Sequence, residues 1–142
     1  MSHSLISQEL VAAYLTTDYR VRSDSGPFVL RIGQRSAELA DLFERTDLKS
    51  AAFITAENPF SVSVSAEDNH ASHLRLCEDL VQLSLQFFEG EGQGEDATWP
   101  AEKSVLILGI ERDHAGSLGT KYGQNAIVWI GAEVVPELVL LR

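Results

Sequence analysis

The stretch Ser104–Gly131 constrains the fold more than any other part of the chain. It reads SVLILGI, then ERDHAGSLGTKYG, then QNAIVWIG. After Ser104 the first run is continuously apolar, as in a strand covered on both faces. The middle segment carries Ala115, Leu118 and Tyr122 along one helical stripe. Gly123 follows where a helix needs a left-handed stop. Ala126–Ile130 reads as a second buried strand. Strand, helix and strand with short joints predict a βαβ unit whose strands are parallel neighbours in the middle of a sheet.

The rest of the chain fits around this unit. Residues 5–16 have helical spacing at Ile6, Leu10, Ala13 and Tyr14. Tyr19–Arg22 and Phe28–Ile32 alternate around the turn SDSGP and predict an antiparallel hairpin. Ser36 can cap a short helix bearing Leu39, Leu42 and Phe43. Ala51–Thr55 is apolar on both faces and stops at Glu57-Asn58-Pro59. Ser65 to Asp68 has capping-box spacing and opens the longest helix, over 67–84, with Leu74, Cys77, Leu80 or Val81, and Ser84 on its inner stripe. Phe87 and Phe88 lead into EGEGQGEDATWP, a glycine-rich acidic stretch read as a loop edged at most by a short strand. Beyond Pro136, Leu138–Leu141 is apolar throughout, which predicts an interior strand.

A chain of 142 residues fits one domain, residues 1–142, that needs no metal or disulfide to fold. The net charge of −10 argues against general nucleic-acid binding and against anionic membrane surfaces. No apolar run is long enough for a membrane span, and the N-terminus has no signal-peptide pattern. Cys77 is the lone cysteine, which suits a reducing cytoplasm and reads as a packing residue. No nucleophile elbow or P-loop appears. No cofactor and no metal are expected, no catalytic residue is identified, and the oligomeric state is open.

Four constellations are candidates for chemistry, each with a plainer structural alternative. Asn58–Asn69 runs from the end of a buried strand into a helix N-terminus. There Asn58, Ser61, Glu67 and Asn69 can bind a ligand, or can simply form the turn and cap. Arg20, Arg22, Arg31 and Arg35 offer guanidinium forks for an anion, or pair with acids across a solvated hairpin face. Gln124–Asn125 can read a ligand by donor and acceptor, or satisfy backbone groups at a helix end. Glu67, His70 and His73 share a helix face at spacings of three, which permits a metal but fits a solvated face better. His3 and His114 have no partners visible in sequence.

The chain resembles a bacterial family, number 3293 among the domains of unknown function, from about Tyr14 to Arg142. The resemblance rests on Tyr14, Thr17, Tyr19 and Val21, on LRIG at Leu30–Gly33 with Ser36 and Leu39, and on AAFITAENP at Ala51–Pro59 with Ser61, Ser65, Glu67 and Asn69. It continues in Gly90, Gly92, Gly94, Trp99, Pro100, Glu102, Ser104, LGI at Leu108–Ile110, YGQNAIVW at Tyr122–Trp129 and the terminal PELVLLR. The chain departs from the family pattern at Glu57, where an aromatic is usual, and near Ala71 or Ser72, where a basic residue is. The resemblance implies no activity. It does single out Arg31, Asn58, Ser61, Glu67, Asn69, Glu102, Ser104, Gln124 and Asn125 as polar residues that fold economy hardly explains.

The expectation is a single α/β or α+β domain with a mixed sheet of about six or seven strands. Its leading function is a binding or interaction module whose polar crevice takes a small polar or anionic ligand, with Arg31 as charged anchor. The alternative is a hydrolase or nuclease in which Glu67 and Glu102 form a carboxylate pair, with or without a divalent ion.

Overall fold

In the computed structural model, which describes residues 4–96 and 98–142, seven strands form one sheet in the order β2-β1-β4-β5-β3-β6-β7. Chain order is α1 (Gln8–Leu15), β1 (Asp18–Ser23), β2 (Gly26–Leu30), α2 (Ala37–Thr46), β3 (Ala51–Thr55), a short 3-10 turn (Pro59–Ser61), α3 (Ala66–Gln82), β4 (Phe87–Gln93), β5 (Glu102–Leu108), α4 (Arg112–Lys121), β6 (Ala126–Ile130) and β7 (Pro136–Leu140). The fold is α+β. Every strand pair is antiparallel, so the expected mixed sheet is corrected.

The strand–helix–strand unit forms, but its strands are not neighbours. β3 enters between β5 and β6 and pairs antiparallel with both, so β5 and β6 run parallel to each other without touching. This is a split βαβ. Ala51–Thr55 can take that place because its two faces are both apolar, with Ala52 and Ile54 turned one way and Ala51 and Phe53 the other. β5 occupies the middle of the sheet, as the apolar run demands.

Two further expectations are corrected. Phe87–Gln93 is a strand with β1 on one side and β5 on the other, not a loop. The last apolar strand, β7, lies at the rim and pairs with β6 alone.

The sheet has two apolar faces. One carries Val21, Leu30, Phe53, Leu106, Val128 and Ile130 against Leu39, Leu42 and Phe43 of α2. The other carries Ile54, Val105, Ile107 and Ile127 against Leu76 and Leu80 of α3 and Ala115 and Leu118 of α4. The inner stripe of α3 is His73, Leu76 and Leu80, whereas Leu74 and Val81 point outward at 48% and 68% exposure and Ser84 falls beyond the helix. The caps form as the sequence predicts. Ser36 accepts from the Leu39 amide, Ser65 accepts from the Asp68 amide, and Gly123 stops α4 with φ of 69°.

The sheet curls toward α2. The Gly33 amide just past β2 donates to the Pro136 carbonyl of β7 at 2.8 Å, and the Ser36 amide donates to the Val134 carbonyl at 3.0 Å. The two outermost strands are thereby tied together on one side. α2 fills one end of the resulting trough, and the other end is left for a cavity. Among the described residues no helix is long and apolar enough to cross a membrane.

Candidate functional site

The cavity is about 630 Å³ and opens on the α2 face of the sheet, at the end that α2 does not reach. Its floor is made by alternate residues of several strands: Tyr19, Phe53, Glu102, Ser104 and Val128, with Leu138 at the rim. Tyr19 and Phe53 meet edge to face, ring centres 5.2 Å apart, which fixes both rings. α1 forms the roof through Leu10, Ala13 and Tyr14, and Trp99 stands at the wall. The volume suits a small organic molecule.

The glycines of β4 explain why space remains. Alternation sends Glu89 and Glu91 to one face and Gly90 and Gly92 to the other. A Cβ on Gly90 would lie 2.3 Å from the Arg20 carbonyl oxygen, so nothing larger fits there. A Cβ on Gly92 would meet nothing nearer than Thr17 at 3.8 Å, so its missing side chain is open volume above the floor.

The polar end of the cavity is built around Asn58. Its backbone is left-handed, with φ of 48° and ψ of 63°, which asparagine tolerates better than most residues. Asn69 of α3 clasps it: the Asn58 amide donates to Asn69 Oδ1 at 2.8 Å, and Asn69 Nδ2 donates back to Asn58 Oδ1 at 3.0 Å. Asn58 Oδ1 also accepts from the Val64 amide at 3.2 Å. That leaves Asn58 Nδ2 aimed at Glu102, where it donates to Oε2 at 2.7 Å. Burial pushes the Glu102 carboxyl above its ordinary range; hydrogen bonds from Asn58 and Trp99 offset part of this, and the charge of Glu57 adds to the rise. Burial raises Glu57 as well. Ser104 Oγ donates to the Glu102 carbonyl at 3.0 Å and fixes the start of β5.

Five of the nine residues singled out in the sequence line this cavity: Asn58, Ser61, Glu102, Ser104 and Gln124. Gln124 Nε2 donates to the carbonyls of Glu57 and Tyr122, so it also locks the turn before Asn58. Asn69 acts one step back, through Asn58. Asn125 donates to Ser61 Oγ at 2.9 Å and accepts from Arg142 at 3.0 Å, which ties the C-terminal strand to the cavity wall.

Two of the nine lie elsewhere. Arg31 is exposed and paired with Asp18, while Arg20 reaches Glu91 at 3.3 Å, so the hairpin arginines answer acids on neighbouring strands. Glu67 is exposed in the first turn of α3 and does not line the cavity. Among the described residues no hydrogen bond joins it to Glu102, and the carboxylate that bears on Glu102 is Glu57. The proposed Glu67/Glu102 pair is therefore not assembled.

Sequence reasoning missed the aromatic and small parts of the site: Tyr14, Tyr19, Phe53, Gly92 and Trp99. All five belong to the resemblance pattern, and the Gly–Glu alternation of β4 was the signal that could have placed Gly92.

The supposed Glu67–His70–His73 face is divided. Glu67 and His70 are exposed, whereas His73 is 3% exposed and turned toward Glu89. His114 borders a shallow hollow with Asp79 and Lys121 between α3 and α4. His3 lies outside the described residues.

A family model described as a protein of unknown function matches residues 54–127, just over half the chain, from the end of β3 to the second residue of β6. The matched span includes Asn58, Glu102 and Gln124. No curated protein and no solved structure matches the chain.

Proposed function

Since the chain belongs to the family Protein of unknown function (DUF3293), whose description carries no activity, we propose its function from the site: a binding module for one small molecule with an apolar body and a neutral or cationic hydrogen-bonding end. The observation that carries this reading is the cavity of about 630 Å³ with the Glu102 carboxyl at its polar end. Glu9, Glu95 and Asp96 also border it, and no lysine, arginine or histidine does among the described residues. An anion would meet several carboxylates and no counter-charge in a partly desolvated space. That argues against the anionic ligand expected from the hairpin arginines, of which Arg20, Arg22 and Arg31 pair with acids away from the cavity. Tyr19, Phe53 and Trp99 favour a flat or aliphatic body, and Glu102 favours an amine, amide or hydroxyl donor. A cytoplasmic setting belongs to the same reading, and a single thiol suits it.

A thermal-shift screen tests this with small amines, amino alcohols and nucleosides set against carboxylic acids and phosphates. A neutral or cationic compound at 100 times its dissociation constant should add about 2.7 kcal/mol of stability. Gly92→Leu, which grows into the cavity, should abolish the shift while the protein still melts cooperatively. Stabilisation by anions alone, or shifts that survive Gly92→Leu, would overturn the reading.

A further inference from the structure

A second group of side chains lies on the opposite face of the sheet, away from the cavity. His73 and Cys77 are one helical turn apart on α3, and Glu89 faces them from β4. His73 Nε2, Cys77 Sγ and a Glu89 carboxylate oxygen all lie within 4.8 Å of one another. Nε2 is 2.8 Å and 3.0 Å from the two Glu89 oxygens, and Sγ is 3.7 Å from Nε2 and 3.5 Å from Glu89 Oε1.

A nucleophilic relay does not fit. It needs the histidine to meet the thiol with one ring nitrogen and the carboxylate with the other. Here the same nitrogen meets both. Read as hydrogen bonds alone, Nε2–H and the Cys77 thiol both donate to the one Glu89 carboxylate, and His73 Nδ1 is buried with no partner among the described residues. Three donors converging on one point is the arrangement a cation requires.

The spacing agrees. Ligands of a tetrahedral zinc ion, at about 2.0–2.3 Å from the metal, stand about 3.3–3.6 Å apart. Both sulfur distances are close to that, and the His73–Glu89 contact needs to open by only about 0.5 Å to reach it. Glu89 is half exposed in its side chain, so it can move, and water can reach a fourth position. An imidazole, a thiolate and one carboxylate select a borderline-soft divalent ion over calcium or magnesium, which want oxygen alone.

We propose that His73, Cys77 and Glu89 form a site for one zinc-class divalent ion, with water as fourth ligand. Binding forms a sulfur–metal bond and releases the Cys77 proton to solvent. The site joins α3 to β4 on the face away from the ligand cavity, so it stands independently of the function proposed above.

The test uses the full chain, freed of metal by dialysis against a chelator and titrated with cobalt(II), then with zinc(II). Wild type should take up about one equivalent. The cobalt form should show the near-ultraviolet charge-transfer band of a thiolate ligand and the strong visible bands of a tetrahedral ion, and zinc should bleach both. Cys77→Ser should lose the charge-transfer band. Glu89→Gln, at an exposed position the fold tolerates, should weaken zinc binding about tenfold or more. His70→Ala should change nothing. Absence of stoichiometric uptake by folded wild type, an unaltered cobalt spectrum in Cys77→Ser, or equal weakening by His70→Ala would overturn the assignment.

Discussion

Asn58 does several jobs with one side chain, and each follows from its backbone. The left-handed conformation turns the chain out of β3, and the amide then faces Asn69, Val64 and Glu102 together. Asn58→Ala keeps an unfavourable φ, takes from Glu102 one of its two hydrogen bonds, and leaves Asn69 Nδ2 and the Val64 amide without their acceptor. At about 1–3 kcal/mol for each buried polar group left unpaired, the variant should lose roughly 2–4 kcal/mol in chemical denaturation. Glu102 itself should show a pH signature. Its folded pKa is raised above the ordinary 4.5, so the protonated form favours the native state and that contribution is lost as pH rises through the raised value. Glu102→Gln removes the titration but keeps an acceptor for Asn58. Denaturation midpoints of the two proteins from pH 4 to pH 8 should diverge above about 4.5, with the glutamine variant gaining relative to wild type. The sequence singled out Asn58 and Glu102, and both line the cavity. It could not show that Arg31 was already paired, because the clustering of charges says nothing about which acids stand opposite.

β4 shows how an element can be hidden in its own composition. Three glycines and several acids within a few residues read as a loop because both residue types are poor strand formers. The strand forms regardless, because period-two alternation sends every glycine of the ladder to the cavity face and every glutamate to the opposite one. This places opposite demands on two adjacent glycines. Gly90→Ala drives a Cβ into the Arg20 carbonyl and should lower stability by about 3 kcal/mol or more, or prevent folding. Gly92→Ala meets only ordinary contacts and should cost roughly 0–1 kcal/mol while shrinking the cavity. Paired thermal melts with a ligand titration separate the two. The long helix was legible in its cap and length, but its inner stripe was not. Taking His73 as polar surface shifted the stripe onto Leu74 and Val81, and only the tertiary contact with Glu89 shows why a histidine lies inward.

At the scale of the whole molecule, strand order was the part beyond reach. Apolar runs show that β3, β5 and β6 are interior, but β5 and β6 are separated by a strand that precedes both in the chain. Period and composition carry no record of such long-range pairing. The arrangement makes a prediction of its own. β3 and β5, each paired on both sides and covered on both faces, should exchange their amides slowest, at rates set by global unfolding. α1 should exchange fastest of the helices, because none of its side chains is buried. Hydrogen-exchange mass spectrometry resolves both segments. Slow exchange in α1 without ligand would contradict the packing described.

That thinly held helix has a consequence for affinity. Eight residues are too few to be helical alone in water, and α1 spans the hollow instead of pressing on a packed interior. A guest that fills the space would give its inner side something to rest on. Part of the free energy of association would then go into ordering Gln8–Leu15, so tight compounds should be those bulky enough to touch floor and ceiling at once, and smaller fragments should bind more weakly than their contacts suggest.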